Sequence, residues 1–310
     1  MRFFSRVPRF DFMAIRRPMM AVSILLTVLA LGLVLGKGLH LGLDFTGGAL
    51  VEIGYERPVE LNTLRADLDA AGLSSAVVQY FGTTSDVLIR LVPEDAESSA
   101  DLSNRIIAAL TAGGEPLELR RVEFVGPQVG DELAVDGALA AIFALIGILV
   151  YVAFRFEWKF ALGSIVATLH DAILVLGWFA LFGLEFNLTV LAAILALIGY
   201  SLNDTIVVYD RIRENFLEQR RASALEVVNL SVNQTLARTI ITGGTTLFVL
   251  TSLFFLGGTV VHEFSIALIV GIIVGTYSSV FVASAMVIFL GVSREDLLPP
   301  QDDEEIDALP

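Results

Sequence analysis

Six apolar runs decide what this chain can become: Pro18 to Gly36, Gly137 to Phe154, Phe160 to Phe182, Phe186 to Tyr209, Thr239 to Gly258 and Phe264 to Gly291. About 20 apolar residues in a helix cross the hydrocarbon layer of a bilayer. No water is available there, so each segment must satisfy its own backbone N–H and C=O groups, which a helix does and an open strand does not. The runs therefore predict a polytopic α-helical membrane protein with six transmembrane helices. A composition of 55% hydrophobic residues and a mean hydropathy of +0.75 is more apolar than a soluble core requires. The first run follows Arg16 and Arg17 as the core of a signal peptide would, but it is too long for one, and Gly-Lys-Gly-Leu-His at 36–40 is no small-residue cleavage site. It reads as an uncleaved anchor.

Orientation follows from the basic residues. The segments before the first run, between the second and third, between the fourth and fifth, and after the sixth carry five, two, four and one Lys or Arg, with Arg238 counted at the fifth run; the loops 183–185 and 259–263 carry none. The positive-inside rule then places both termini in the cytoplasm. The domains expected are a cytoplasmic segment 1–17, a first helix 18–39, an outer domain 40–134, five helices within 135–291 and an acidic cytoplasmic tail 292–310. Between Lys37 and Ala134 lie 16 acidic and seven basic residues, and the net charge of −14 makes nucleic acid a poor partner. With no cysteine, disulfides, iron–sulfur clusters and Cys-based zinc sites are excluded.

The outer domain reads as a small α+β unit. Ala49–Glu56, Ser75–Gly82, Asp86–Val92 and Glu118–Val125 are strand-like, Glu60–Gly72 and Ser98–Thr111 are helical, and Thr83–Ser85 reads as a polar turn. The order β-α-β-β-α-β is ferredoxin-like. The domain shows no catalytic or metal-ligating spacing, which favours a binding or mechanical module over an enzyme. Just before it stands Leu41-Gly-Leu-Asp-Phe-Thr-Gly-Gly48. Paired glycines there imply a tight turn or a close backbone approach.

The chemistry lies within the runs. Asp204 sits inside the fourth and Arg238 at the mouth of the fifth, and ionisable groups at membrane depth mark function by default. Asp204 is 17 residues past Asn187, and Arg238 is 19 residues before Gly257. With a hairpin tip near Arg220 and Arg221 and about 1.5 Å rise per residue, the two reach nearly one depth. They can pair as a salt bridge that holds two helices, or as a titrating pair that responds to a proton gradient. His170 and Asp171 fall in mid-run and point about 100° apart, so at most one faces Asp204; they serve either a relay or each other. Thr242, Thr245 and Thr246 form a polar stripe below Arg238, beside Gly243 and Gly244. Gly271 and Gly275 form a GxxxG packing face. Asp210–Phe216 reads as a charged, solvated helix end. No GxxxxGK[ST] loop is present, which argues against direct ATP use.

Two stretches carry a resemblance. The run Gly199-Tyr-Ser-Leu-Asn-Asp-Thr-Ile-Val-Val-Tyr-Asp-Arg-Ile-Arg-Glu-Asn-Phe216, with Gly42-Leu-Asp-Phe-Thr-Gly-Gly48, resembles the SecD/SecF family of Sec-translocon accessory subunits, on the SecF side. The resemblance covers about residues 16–291 and implies membership of the resistance-nodulation-division superfamily, whose members drive export by proton flow. It implies an inner-membrane location, a periplasmic outer domain, and a SecD-like subunit, the SecYEG translocon, YidC, a translocating polypeptide and protons as partners, with no cofactor and no metal. It also places an essential Asp and Arg at Asp204 and Arg238. Asp171 is a further relay candidate; Ser201, Asn203, Thr242 and His170 are supporting polar residues; Asp44, Phe45, Gly47 and Gly48 carry the second motif. The expected function is proton-driven assistance to late polypeptide translocation, against a self-sufficient exporter of small molecules or lipids, or a purely structural translocase subunit. Reporter fusions test the topology: a fusion near Ala96 is expected outside, and fusions at Arg220 and after Arg294 inside.

Overall fold

The computed structural model describes residues 8–81, 83–91, 99–111, 116–258 and 261–298. Val92, Ala96, Ser98 and the tail beyond residue 298 lie outside the described residues. In chain order the elements are α1 (Arg16–Gly36), β1 (His40–Leu41), α2 (Leu43–Thr46), β2 (Gly48–Tyr55), α3 (Leu61–Ala70), β3 (Val77–Phe81), β4 (Thr83–Leu91), α4 (Ser99–Thr111) and β5 (Leu117–Val125). Then come α5 (Pro127–Arg155), α6 (Trp158–Phe182), β6 (Glu185–Phe186), α7 (Leu188–Glu218), α8 (Ala224–Leu256), α9 (His262–Ser278), a π turn (Ser279–Ala283) and α10 (Ser284–Phe289). The chain divides into a helical unit, residues 1–39, 141–184 and 192–310, and an α+β unit, residues 40–140 with 185–191.

Among the described residues six helices are long and apolar enough to cross a membrane, among them the α9–α10 rod. They hold the runs at 18–36, 137–154 and 160–182 whole, and each of the other three runs overhangs its helix by two residues at one end. Helix α5 begins at Pro127, where a missing N–H costs nothing in the first turn. Helix α8 begins well before its apolar run because Ser223 and Glu226 close a capping box, each side chain accepting from the other's backbone N–H.

Within the helical unit small residues set the closest approaches. A Cβ at Gly177 would strike Ala30 of α1, and one at Gly163 would strike the Tyr209 hydroxyl. The Gly271/Gly275 face lies against α7: a Cβ at Gly271 would come 2.5 Å from Leu197, and one at Gly275 3.3 Å from Ser201. One sequence expectation is corrected. Asp210–Phe216 is solvated on one side only: Asp210, Arg211 and Glu214 keep their side chains partly in solvent, whereas Ile212, Asn215 and Phe216 are buried with Tyr209 at helical spacing. The Asn215 amide donates to Ser231 Oγ and Gln234 Oε1, both at 2.8 Å, so its polarity is satisfied inside the core. After α10, Asp296 accepts from Lys159 at 2.7 Å and from the Ser293 N–H at 2.8 Å, and these contacts hold its carboxyl below the usual carboxylate range.

The α+β unit is a four-stranded antiparallel sheet in the order β3-β4-β2-β5. With α3 and α4 this is the ferredoxin-like arrangement. Alternation along the central strands sends Val51, Ile53, Val87 and Ile89 into a core with Leu64 and Leu68 of α3 and Ile106 and Leu110 of α4. Thr83–Ser85 is not a turn: these residues belong to β4, which meets β3 through a register irregularity at Tyr80/Phe81.

The glycine-rich segment is a clasp. β1 pairs in parallel with β6, the Gly42 N–H donates to Phe186 O at 2.8 Å, and the rings of Phe45 and Phe186 stack at 5.6 Å. Gly47 (φ 66°, ψ 177°) adopts a conformation open essentially to glycine alone, and Gly48 (φ 120°) leaves no room, since a Cβ there would lie 2.5 Å from Leu91 O. The turn carries Asp44 to the start of α7, where its Oδ2 accepts from the Leu188 N–H at 2.8 Å. That N–H is one a helix cannot satisfy itself, and a carboxylate suits the positive end of the helix. Asp44→Ala is expected to weaken the first turn of α7 by about 1 kcal/mol, read as roughly fivefold faster amide exchange at 188–190.

Candidate functional site

Two clusters of polar side chains inside the helical unit are each built on a carboxylate. Asp204, half-buried on α7, accepts from Thr239 Oγ1 of α8 through Oδ1 at 2.7 Å and from Ser279 Oγ through Oδ2 at 2.7 Å. Asp171, 1% exposed on α6, accepts from His170 Nδ1 at 2.9 Å, from Ser201 Oγ of α7 at 2.5 Å and from Ser278 Oγ of α9 at 2.8 Å. His170 is buried and stacks on Tyr277, centroids 6.3 Å apart. Its Nε2 has no partner among the described residues, so a neutral ring with the proton on Nδ1 leaves only a weak acceptor unmet rather than a buried charged donor.

The two clusters meet at a break in helical geometry. Ser278 is the last residue of α9 and Ser279 the first of the π turn. Neighbouring helix residues point in different directions, so one serine addresses α6 and the next α7. A π turn leaves carbonyls to be satisfied elsewhere. Here Ser284 Oγ donates to Ser279 O at 2.8 Å, and the buried Tyr209 hydroxyl donates to Ala283 O at 3.1 Å.

The expected Asp204–Arg238 contact is absent. No ion pair within 4.0 Å joins them, although Arg238 directly precedes Thr239, which bonds the carboxylate. The expected similar depth therefore holds. Arg238 is exposed on α8, as are Thr242 and Asn203. The Thr242 hydroxyl turns back to Arg238 O at 3.0 Å and serves its own helix. Of the supporting polar residues, Ser201 and His170 join the Asp171 cluster, while Thr242 and Asn203 touch neither carboxylate. Asp44, Phe45, Gly47 and Gly48 form the clasp of the α+β unit. Sequence reading missed Thr239, Ser278 and Ser279; two consecutive serines inside the last apolar run were the available signal.

Comparison with known proteins places this arrangement. Residues 106–293 match the family described as protein export membrane protein SecD/SecF, C-terminal, and residues 32–59 match the SecD/SecF GG motif. The chain belongs to the SecD/SecF family. Among its relatives, protein translocase subunit SecF of Pseudomonas aeruginosa is 50% identical over 307 residues, which cover 98% of this chain and 99% of that one. SecF of Escherichia coli O157:H7 is 42% identical over 298 residues, 96% of this chain and 92% of that one. The crystal structure of SecDF, a translocon-associated membrane protein from Thermus thermophilus, superposes with a TM-score of 0.82 at 42% identity, covering 91% of this chain and 39% of that chain. This SecD/SecF member is a multi-pass membrane protein that spans under half of the fused SecDF chain.

The absence of a direct ion pair has a measurable consequence. Breaking a buried salt bridge by removing one partner costs about 3–5 kcal/mol, whereas Asp204 already has two hydroxyl donors. Arg238→Met is therefore expected to leave protein level and thermal stability in detergent unchanged to within about 1 kcal/mol.

Proposed function

We propose that this chain is an accessory subunit of the Sec export machinery that uses the proton gradient to promote late steps of polypeptide translocation across the inner membrane. The family membership supports the export role. The observation that carries the proton role is Asp204 itself, a carboxylate inside a membrane-spanning helix, held by two neutral hydroxyls with Arg238 near but not bound. Hydroxyl partners can meet a charged or a protonated carboxyl, and an unbound arginine can change its distance as helices move. A charge crossing the full membrane potential yields about 2.3 kcal/mol per 100 mV, comparable to the few kcal/mol that separate two conformers of a helical bundle. Movement of that size would act on the α+β domain, placed on the periplasmic side with both termini in the cytoplasm, where it would hold the emerging polypeptide. SecYEG and YidC are the remaining partners in this reading.

A SecD-like subunit is supported by the same face. Arg238, Thr242 and Asn203 are exposed on membrane-spanning helices, and an arginine or asparagine facing lipid at that position is costly. A second bundle that covers α7 and α8 removes the cost. Cross-linking from Asn203 and Thr242 is expected to capture a SecD-like chain; capture only of a second copy of this chain would favour a self-sufficient exporter.

Asp204→Asn keeps the shape and a hydrogen-bonding amide but removes the titration. Gradient-dependent export is expected to fall to the level of cells lacking the protein, with folding and partner binding retained. The double change with Arg238→Met should remain inactive, and full export by it would overturn the proton reading.

A further inference from the structure

Asp171 lies deeper than Asp204 and is built like it. Its nearest basic group is His170, whose neutral form leaves the carboxylate without a cation, and among the described residues no Lys or Arg pairs with it. The other groups around it are hydroxyls: Ser201 from α7, Ser278 from α9, and the Tyr277 phenol, which stacks on His170 and turns to Ser23 Oγ of α1 at 2.8 Å and Met19 O at 2.9 Å. Asp204 and Arg238 are the charged groups on the far side of the serine pair. An ionised carboxylate buried among neutral groups costs free energy that a bound proton removes.

The serines make that exchange possible without moving a heavy atom. Each hydroxyl has one proton and two lone pairs, and each stands between two acceptors. Ser278 Oγ lies 2.8 Å from Asp171 Oδ2 and 3.1 Å from Gly275 O. Ser279 Oγ lies 2.7 Å from Asp204 Oδ2 and 3.0 Å from Thr276 O. With the carboxylate ionised, the serine donates to it. When a proton binds Oδ2, the new O–H donates to the serine, whose own hydrogen rotates to the carbonyl one turn back. No bond between heavy atoms forms or breaks, and Ser201 and Thr239 keep donating throughout.

We propose that Asp171 is a second proton-holding carboxylate of this site, an inner store behind the more accessible Asp204, and that Ser278 and Ser279 are the paired positioning residues that let both carboxyls load and unload. The proposal rests on the proton reading of Asp204, and the test separates the two.

The protein, co-assembled with its SecD-like partner in lipid vesicles, is titrated by pH-difference infrared spectroscopy in the carboxyl C=O region. The wild type is expected to show one titrating band lost in Asp204→Asn and a second lost in Asp171→Asn. Ser278→Ala should shift the midpoint of the Asp171 band alone by about one pH unit, a tenfold change in proton affinity, and Ser279→Ala should shift that of Asp204 alone. Retention of every titrating band in Asp171→Asn would overturn the proposal and leave Asp171 a group of fixed protonation. If Asp171→Asn does not accumulate, Ser278→Ala decides the matter, since an unshifted spectrum would have the same force. Loss of no band in Asp204→Asn would instead refute the proton role of Asp204 and leave the Asp171 band to be judged by itself.

Discussion

The helical unit depends on how two carboxylates are kept at membrane depth. Among the described residues neither is paired with a lysine or an arginine. Asp204 is held by Thr239 and Ser279, and Asp171 by Ser201, Ser278 and His170. A salt bridge would lock both partners in their charged forms, whereas hydroxyls serve either protonation state. This choice explains other features nearby. The π turn offsets α10 from α9 and lets adjacent serines reach different helices, and Ser284 and Tyr209 satisfy the carbonyls that the turn disturbs. The GxxxG face brings α9 close enough to α7 for Ser201 and Ser278 to share one carboxylate oxygen.

Much of this was legible in the chain. Six apolar runs predicted six long helices because lipid leaves the backbone no alternative, and alternation around Val51 and Ile89 revealed the central strands. Asp204 announced itself as an acid in an apolar run. What failed did so for physical reasons. Depth along ideal helices does not decide which way a side chain turns, so Asp204 and Arg238 come level but Thr239 makes the contact. The charged look of Asp210–Phe216 hid a helical stripe of Tyr209, Ile212 and Phe216, because the intervening charges outnumber it. Thr83–Ser85 looks like a turn by composition, yet strand pairing overrides local preference. The π turn has no composition of its own; only Ser278, Ser279 and Ser284 in an apolar run mark it.

The exposed polar side chains carry a different kind of information. In a soluble protein Arg238 and Asn203 at a surface would need no comment. On a membrane-spanning helix their exposure says that the surface is not finished. The apolar faces of α1 and α5, with Leu35 at 84% and Phe154 at 89% exposed, are by contrast suited to lipid as they stand. The exposed polar residues of α7 and α8 thus differ in kind from the exposed apolar residues of α1 and α5.

The clasp at the glycine-rich segment has a consequence for recombination within the family. The Leu188 N–H at the start of α7 is held by Asp44, and β6 receives its pairing partner from β1, so residues 40–48 and 185–188 form one structural joint although more than a hundred positions apart in sequence. A chimera that transplants the outer domain at its obvious sequence borders would cut this joint in half. Functional exchange of domains between relatives should require the two stretches to travel together, and a mismatched parent on either side would leave α7 starting from an unsatisfied N–H.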